Sequence, residues 1–384
     1  MDEREARLRN SLLIAACTIA GACANTVGAE DIHNAGSATF SVTRMTQALD
    51  HPWGFDFLPD GAVLVNERDG RMLYFPPDLQ QAAPVKGVPE VRASGQGGLL
   101  DLVVAPDFGS SGRIYFTFSE PGSGGAGTAA ASAEFIRDGA GPRLENVRVI
   151  MRMDKKTGAG RHFGSRVVPA RDGTVYVTTG DRGESERAQD PFDHAGSVLR
   201  VNADGSIPAD NPFADGKEGL PELWSMGHRN IQGAALQPET GELWTVEHGA
   251  RGGDEINRPQ AGLNYGWPVI SYGRHYSGGK IGVGTEADGY EQPVHYWDPS
   301  IAPSGMAFYA GEAVPEWTGD MFVGALKDQL IARLQIEGGK VVGEEHLIEG
   351  DYGRIRTIRN GPGGTLWFST DESDGALYRI GAAP

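Results

Sequence analysis

The sequence predicts an all-β fold, a six-bladed β-propeller of four-stranded antiparallel blades. Three observations carry that expectation. One pattern, a small turn residue followed by an alternating apolar strand, occurs six times along the chain. Glycine, at 56 of 384 residues, supplies the turns that many short strands require. No segment beyond the N-terminal leader sustains the period of an amphipathic helix. Turn-plus-strand repeats spaced by roughly 40–50 residues or more mark propellers, with longer steps carrying loop insertions. A pair of β-sandwiches is the competing arrangement, and six similar units argue against it.

In chain order, residues 1–23 read as an export signal. Arg4, Arg7 and Arg9 precede "SLLIAACTIAGA", whose twelve residues suit a signal's apolar region and are short for a bilayer span. Asp2, Glu3 and Glu5 are unusual company for it. Cys23 follows "AGA", so the segment ends either in ordinary cleavage or in lipid attachment through Cys23; Ala20 stands where a larger aliphatic residue usually precedes a lipidated cysteine. This makes the chain an exported, periplasmic protein. Both cysteines, Cys17 and Cys23, lie in the leader, so the mature chain has no internal disulfide and depends on packing. Residues 24–38 read as a linker and 39–384 as the propeller.

The six repeats are "DGAVLVNERDGRMLYF", "GRIYFTFSEP", "DGTVYVTTGDRG", "TGELWTVEHG", "TGDMFVGALKDQLIARLQI" and "GGTLWFSTDESDGALYRI". Their turn glycines are Gly61, Gly112, Gly173, Gly241, Gly319 and Gly364. The stretch "EPGSGGAGTAAASAE", residues 120–134, reads as a mobile surface loop because of its Gly/Ala/Ser bias. The repeat continues on both sides of it, so it is no domain linker.

The formal net charge is −17. An acidic chain of this kind argues against nonspecific binding to nucleic acid or anionic membrane. Clustered cations therefore stand out. In a propeller, chemistry gathers in loops from several blades around the axis. His162, in "RHFGSRVVPARDGTVYV", precedes a strand, and Asp181, in "TTGDRGE", follows the same strand. A neighbouring strand must return His162 for the two to meet; the carboxylate would then fix the imidazole tautomer and raise its basicity. Otherwise they are a loop histidine and a turn aspartate.

Arg229-Asn230, Lys327, Arg354 and Arg356 are scattered cations and an amide. Alternation in "RIR" puts Arg354 and Arg356 on one side of an extended segment. Meeting at the axis, these groups would bind an anion, arginine being suited to carboxylates; apart, they are solvated charges. The segment "GARGGDEIN" offers exposed carbonyls and Glu255, hard oxygen donors that fit Ca²⁺. Histidine and cysteine spacing gives no zinc site, and neither GxSxG nor a Walker motif occurs.

Taken in order, "HPWGFDFLPDG", "GQGGLLDLVVAPDF", "GHRNIQG", "EHGARGGDEIN", "NYGWP", "PSIAPSGMAFY", "GALK" and "GRIRTI" resemble the soluble aldose sugar dehydrogenases of the glucose/sorbosone dehydrogenase family, propellers using pyrroloquinoline quinone (PQQ) and calcium. That resemblance implies oxidation of an aldose at the C1 hydroxyl to the lactone, with hydride transfer to C5 of PQQ. It implies that His162 is the general base, Asp181 its partner, and Gln96 a neighbour of cofactor and substrate. Arg229, which would also act on the reacting centre, Asn230, Lys327, Arg354 and Arg356 would hold the cofactor. The carbonyls of Gly249 and Ala250 would bind its calcium, and Glu255 and Tyr265 a second, structural one. One departure is Asp298, where soluble glucose dehydrogenases have a tryptophan that stacks on the cofactor; Trp297 beside it would face the other way.

The readings that compete are a metal-dependent lactonase-type propeller hydrolase and a non-catalytic sugar-binding propeller. The partners expected are a small aldose and an electron acceptor the motifs do not identify, with no membrane span, as a monomer or a homodimer.

Overall fold

The computed structural model describes residues 26–36 and 38–384. The expected export signal and Cys23 lie outside the described residues. The chain folds into six antiparallel sheets, five of four strands and one of five.

From the axis outward, blade I is Pro52–Phe57, Val63–Glu67, Met72–Phe75 and Ala83–Pro84. Blade II is Leu99–Val104, Arg113–Gly122, Gly125–Ile136 and Arg143–Arg152. Blade III is Val167–Pro169, Thr174–Thr178, Val198–Asn202 and Leu223–Ser225. Blade IV is Ile231–Leu236, Leu243–Glu247, Asp254–Asn257 and His295–Trp297. Blade V is Pro303–Phe308, Met321–Ala325, Ile331–Glu337 and Lys340–Leu347. Blade VI begins with Ile355–Gly361, Thr365–Thr370 and Leu377–Ala382, and the N-terminal strands Ala38–Arg44 and Glu30–Ala35 complete it.

The ring is thus closed by pairing the two ends of the chain, Phe40 opposite Ala382 through Arg44 opposite Tyr378. Closure of this kind leaves no open sheet edge at the seam. The propeller accordingly starts before residue 39: Glu30–Ala35 lies inside the stretch expected as linker. Its polar sequence hides it, because it is an outermost strand whose side chains alternate between exposed and half-buried.

All six turn glycines stand just before the second strand of a blade, with φ between 64° and 91°. Only a residue without Cβ takes that conformation cheaply, which is why the turn repeats in the sequence. Residues 120–134 correct the loop expectation. They form the hairpin of blade II, in register from Arg113 opposite Glu134 to Gly122 opposite Gly125. Ala129, Ala130 and Ala131 are fully buried. The side chains are small because neighbours crowd this hairpin: a Cβ on Gly125 would lie 2.0 Å from the carbonyl oxygen of Thr157.

A separate apolar cluster fills each of the six blade interfaces, for example Leu64, Leu102, Phe116 and Ala131 between blades I and II. Burial of this apolar area is the main favourable term of the fold. At the axis the innermost strands approach closely; a Cβ on Gly54 would lie 2.6 Å from the Leu100 carbonyl oxygen. Beneath the mouth Arg166 of blade III plugs the axis. Its guanidinium reaches Asp101 at 3.0 Å, the Gln232 carbonyl at 2.6 Å, Thr357 Oγ1 at 3.0 Å and the Arg356 carbonyl at 3.2 Å. It also lies over Trp53, 4.3 Å from the ring centre.

Candidate active site

In an antiparallel hairpin the start of one strand and the end of the next lie on the same edge. Each blade therefore presents two positions to the axial mouth: the residues just before its innermost strand and those just after its second. His51, Gln96, His162, Asn230, Ala302 and Arg354 occupy the first kind of position, and Arg68, Asp181, His248, Leu326 and Asp371 the second. Residues far apart in sequence converge for this reason. They line or flank one cavity of about 140 Å³.

His162 and Asp181 meet. The Nδ1–H of His162 donates to Asp181 Oδ1 at 2.6 Å, which leaves Nε2 as the free, basic nitrogen. The hairpin of Val167–Pro169 and Thr174–Thr178 is the neighbouring strand that the pairing required. Asp181 is held in turn by the Gly183 amide at 2.6 Å and by Trp267 Nε1 at 2.9 Å. Gln96 Oε1 accepts from the His162 amide at 2.7 Å. His162 sits at φ 54°, a left-handed conformation that non-glycine residues adopt at a cost.

Burial is the first cause that holds the His162 imidazole below its usual value; the Asp181 hydrogen bond opposes it and the Arg229 charge adds to it. At neutral pH His162 is therefore an uncharged base. The folded protein binds fewer protons here than the unfolded chain. Its contribution to stability is fully present above the unfolded value of about 6.5 and is lost as pH falls through the lower folded value. NMR titration of the cofactor-free protein is expected to place the His162 midpoint below 6.5; a midpoint above 7 contradicts this assignment.

Cations gather around the same cavity. Arg356 is buried, donates to Gln232 Oε1 at 2.9 Å and pairs with Asp371, while its Nε has no partner among the described residues. Arg354 donates to the Leu326 carbonyl at 3.1 Å, and Arg68 stands 3.5 Å from Asp371. Arg356 and Arg68 hold the Asp371 carboxyl well below the usual carboxylate range, against burial, which is the largest influence. Arg229 lies beside the cavity, 5.3 Å over Trp267, and donates to the His248 carbonyl at 3.1 Å. Asn230 Oδ1 accepts from the Gly164 amide at 3.1 Å. Three guanidinium groups, from Arg68, Arg354 and Arg356, line the cavity with the Asp371 carboxylate and aromatic faces from Trp53 and Phe163, an excess of positive charge suited to an anion.

Lys327 stands apart. It is at the rim, half-exposed or more, with Nζ 2.9 Å from the Ser300 carbonyl and 2.7 Å from Asp328; it does not line the central cavity. Trp297 packs in the interface of blades IV and V and donates to Glu344 at 2.9 Å, away from the mouth as its register implied. Asp298 is exposed beside Gly252.

The glycine-dense loop is pinned by Asp254, a buried residue the sequence reading left without a role. Its carboxylate accepts from the amides of Gly249 at 2.8 Å, Ile301 at 2.9 Å and Ala302 at 3.2 Å, and from Ser300 Oγ at 2.9 Å. Gly249, Glu255 and Tyr265 then meet with Glu247 at a hollow of about 10 Å³, room for one water-sized species. Ala250 is buried next to Gly249 but does not line it. The Tyr265 hydroxyl is already spent on the Arg258 carbonyl and the Gln260 amide, so its backbone oxygen is the group it could offer.

Burial, with Glu247 adding repulsion, pushes the Glu255 carboxyl up to about 8. A divalent cation between these two acids would relieve that penalty, and hard oxygen donors suit calcium. Among the described residues no group of three or more His, Cys, Asp or Glu side chains forms a metal cage. A cation here must draw on carbonyls.

Arg68, Asp371, Trp53, Trp267 and His248 were missed in the sequence reading. Arg68 and Asp371 follow second strands, as Asp181 does. Scoring every polar residue by its place in the repeat finds both.

Residues 49–379 match the model of the glucose/sorbosone dehydrogenase family. Aldose sugar dehydrogenase YliI of Escherichia coli K12 is 42% identical over 350 residues, 90% of this chain and 94% of that one. The crystal structure of the soluble aldose sugar dehydrogenase of Escherichia coli in its apo form superposes with a TM-score of 0.86 at 41% identity, covering 90% of this chain and 100% of that one. The structure of the PQQ-bound aldose sugar dehydrogenase of Streptomyces coelicolor superposes at 0.74 with 26% identity, over 90% and 98% of the two chains.

Proposed function

The chain belongs to the glucose/sorbosone dehydrogenase family and is an oxidoreductase acting on aldose sugars, and from that premise we propose that it oxidises the C1 hydroxyl with PQQ and calcium, using His162 as the base. The observation that carries the reading is the His162–Asp181 pair beside a cavity lined by Arg68, Arg354 and Arg356, with Arg229 on the adjoining hollow. Bound there, PQQ supplies an ortho-quinone that accepts a hydride, with calcium as a Lewis acid beside it.

The protein's own part is binding, charge and proton transfer. Arg354, Arg356 and Arg229 neutralise the carboxylates of an anionic ligand that a chain of net charge −17 would otherwise repel. Arg356 Nε, lacking a partner among the described residues, is a donor ready for such a ligand. His162 Nε2 takes the proton from the sugar's C1 hydroxyl, and Asp181 stabilises the imidazolium that forms. Arg229, close enough to depress His162, favours proton release to solvent afterwards. The Gly249 and Ala250 carbonyls would bind the calcium beside the cofactor, and Glu255, with the Tyr265 carbonyl and Glu247 at the hollow behind Arg229, would hold a second, structural one. Export to a periplasm remains the reading of the leader.

A lactonase needs carboxylates gathered on a central metal, and the axial carboxylates Asp101 and Asp371 are each paired with arginines instead. A sugar-binding propeller has no use for an imidazole oriented by a buried carboxylate. The test is reconstitution with PQQ and Ca²⁺, followed by dye-linked oxidation of an aldose panel with and without chelator. Dye reduction requiring both additions is expected. Lactone hydrolysis without quinone, or sugar binding with no dye reduction under any loading, overturns the proposal.

A further inference from the structure

Arg182 is a buried cation that the chemistry above leaves unused. It follows Asp181 directly, is fully buried, and has its backbone at φ 57°. No carboxylate lies within ion-pairing distance of it among the described residues. The two Nη groups of its guanidinium are instead wrapped by main chain, while Nε has no partner among the described residues. Nη1 donates to the Arg161 carbonyl, and Nη2 donates to the Ala159 carbonyl at 2.5 Å and reaches that of Ala126 at 3.5 Å. The Phe163 ring covers it, with its centre 3.4 Å from the guanidinium carbon. The Arg182 amide donates to the His162 carbonyl at 3.3 Å. Burial pulls its pKa down to about 10, so it stays charged at neutral pH.

Every one of these contacts but the Ala126 carbonyl falls on residues 159–163, the turn that presents His162. On the opposite side Gln96 grips the same turn, through the His162 amide at 2.7 Å and the Gly160 carbonyl at 2.8 Å. A left-handed histidine persists only when its surroundings over-determine it. Burying a cation without a counter-ion is expensive, and three carbonyls with an aromatic face are what offset the cost. Only a planar fork of donors can serve carbonyls on two sides while lying flat on a ring; an ammonium group cannot.

We propose that Arg182 is a positioning residue for the aldose oxidation, a carbonyl-caged internal cation that fixes the His162 turn so that Nδ1 stays on Asp181 and Nε2 faces the cavity. The dipeptide Asp181-Arg182 thus does two jobs: one side chain orients the imidazole and the next holds the backbone beneath it. The inference rests on His162 as the base.

The experiment uses the full chain carrying Arg182→Met and Arg182→Lys, loaded with PQQ and Ca²⁺. Misplacing a catalytic group by about 1 Å costs up to roughly 10²-fold. The expected result for Arg182→Met is a kcat about 10- to 100-fold lower, with KM and quinone affinity within about twofold of the parent. Millimolar guanidinium chloride restores part of that loss, and equal sodium chloride does not. Arg182→Lys keeps charge but not the fork, and is expected to be slowed as well.

NMR of the cofactor-free protein reads the His162 ring without relying on turnover. Its titration midpoint and its hydrogen-bonded Nδ1 proton are expected to change in both variants. Unchanged ring signals together with a kcat within twofold of the parent overturn the proposal, as does equal loss of quinone binding and turnover, which marks Arg182 as merely structural. If Arg182→Met does not fold, Arg182→Lys decides by the same readings. If the parent shows no dye reduction, the functional reading fails, while the ring signals still judge Arg182.

Discussion

Replacing His162 with alanine lowers turnover of the PQQ- and Ca²⁺-loaded enzyme by roughly 10²–10⁴-fold, the range that general-base catalysis supplies, and leaves quinone binding intact. The separation of the two effects follows from what the side chain touches. The imidazole makes one protein hydrogen bond, to Asp181, while the cations that hold an anion belong to blades I, IV and VI. Removing the ring does not orphan Asp181, which keeps the Gly183 amide and Trp267 Nε1. The turn also keeps the Gln96 bond, because that bond is to the His162 backbone. Stopped-flow reduction of bound quinone by sugar, beside a quinone-binding titration, separates chemistry from binding. A loss under tenfold means the proton goes elsewhere. A collapse of quinone affinity in parallel means His162 is a ligand-binding group rather than a base. Asp181→Asn gives a graded companion, because it removes the group that opposes burial at His162 and so lowers the imidazole pKa further.

The sequence declares the parts of this protein that repeat and conceals those that depend on crowding. The second strand of each blade is legible because its turn glycine and alternating apolar residues recur. Strand Glu30–Ala35 is not, since an outermost strand buries little and its pattern is polar. The hairpin of blade II misleads in the other direction: alanine and glycine there answer to close packing, yet the same composition elsewhere makes flexible loops. Within the site, His162, Asp181, Arg354 and Arg356 could be picked from residue type and strand ends. Their convergence could not, because it follows from six hairpins sharing one rim. Lys327 has the right residue type and the right place in its blade, and its ammonium group stands at the rim beside Asp328. Arg68 and Asp371 went unseen because residue type alone does not mark them; only their place after a second strand, the one Asp181 also holds, does.

Arg166→Met is expected to lower the unfolding free energy by about 3 kcal/mol, the order expected when buried carbonyls lose their donor and a buried carboxylate loses one of its two cations. Arg166 and Asp101 are each almost fully buried at the axis. Without the guanidinium, Asp101 keeps Arg359 at 3.0 Å and the Val167 amide at 3.1 Å, but the carbonyls of Gln232 and Arg356 lose a donor. Five blades meet through this one side chain, so the effect should appear as a lower urea midpoint with an unchanged slope. The double variant Arg166→Met, Asp101→Leu separates two causes. If the carboxylate left with Arg359 alone dominates, the second change restores part of the loss, since Arg359 is partly exposed and can be solvated. If lost packing over Trp53 dominates, the two losses add. Gln232 links this plug to the site, holding Arg356 through its side chain and Arg166 through its carbonyl. Arg166→Met should therefore also weaken quinone binding, and a variant that keeps full stability would show that the axis is held by its apolar interfaces alone.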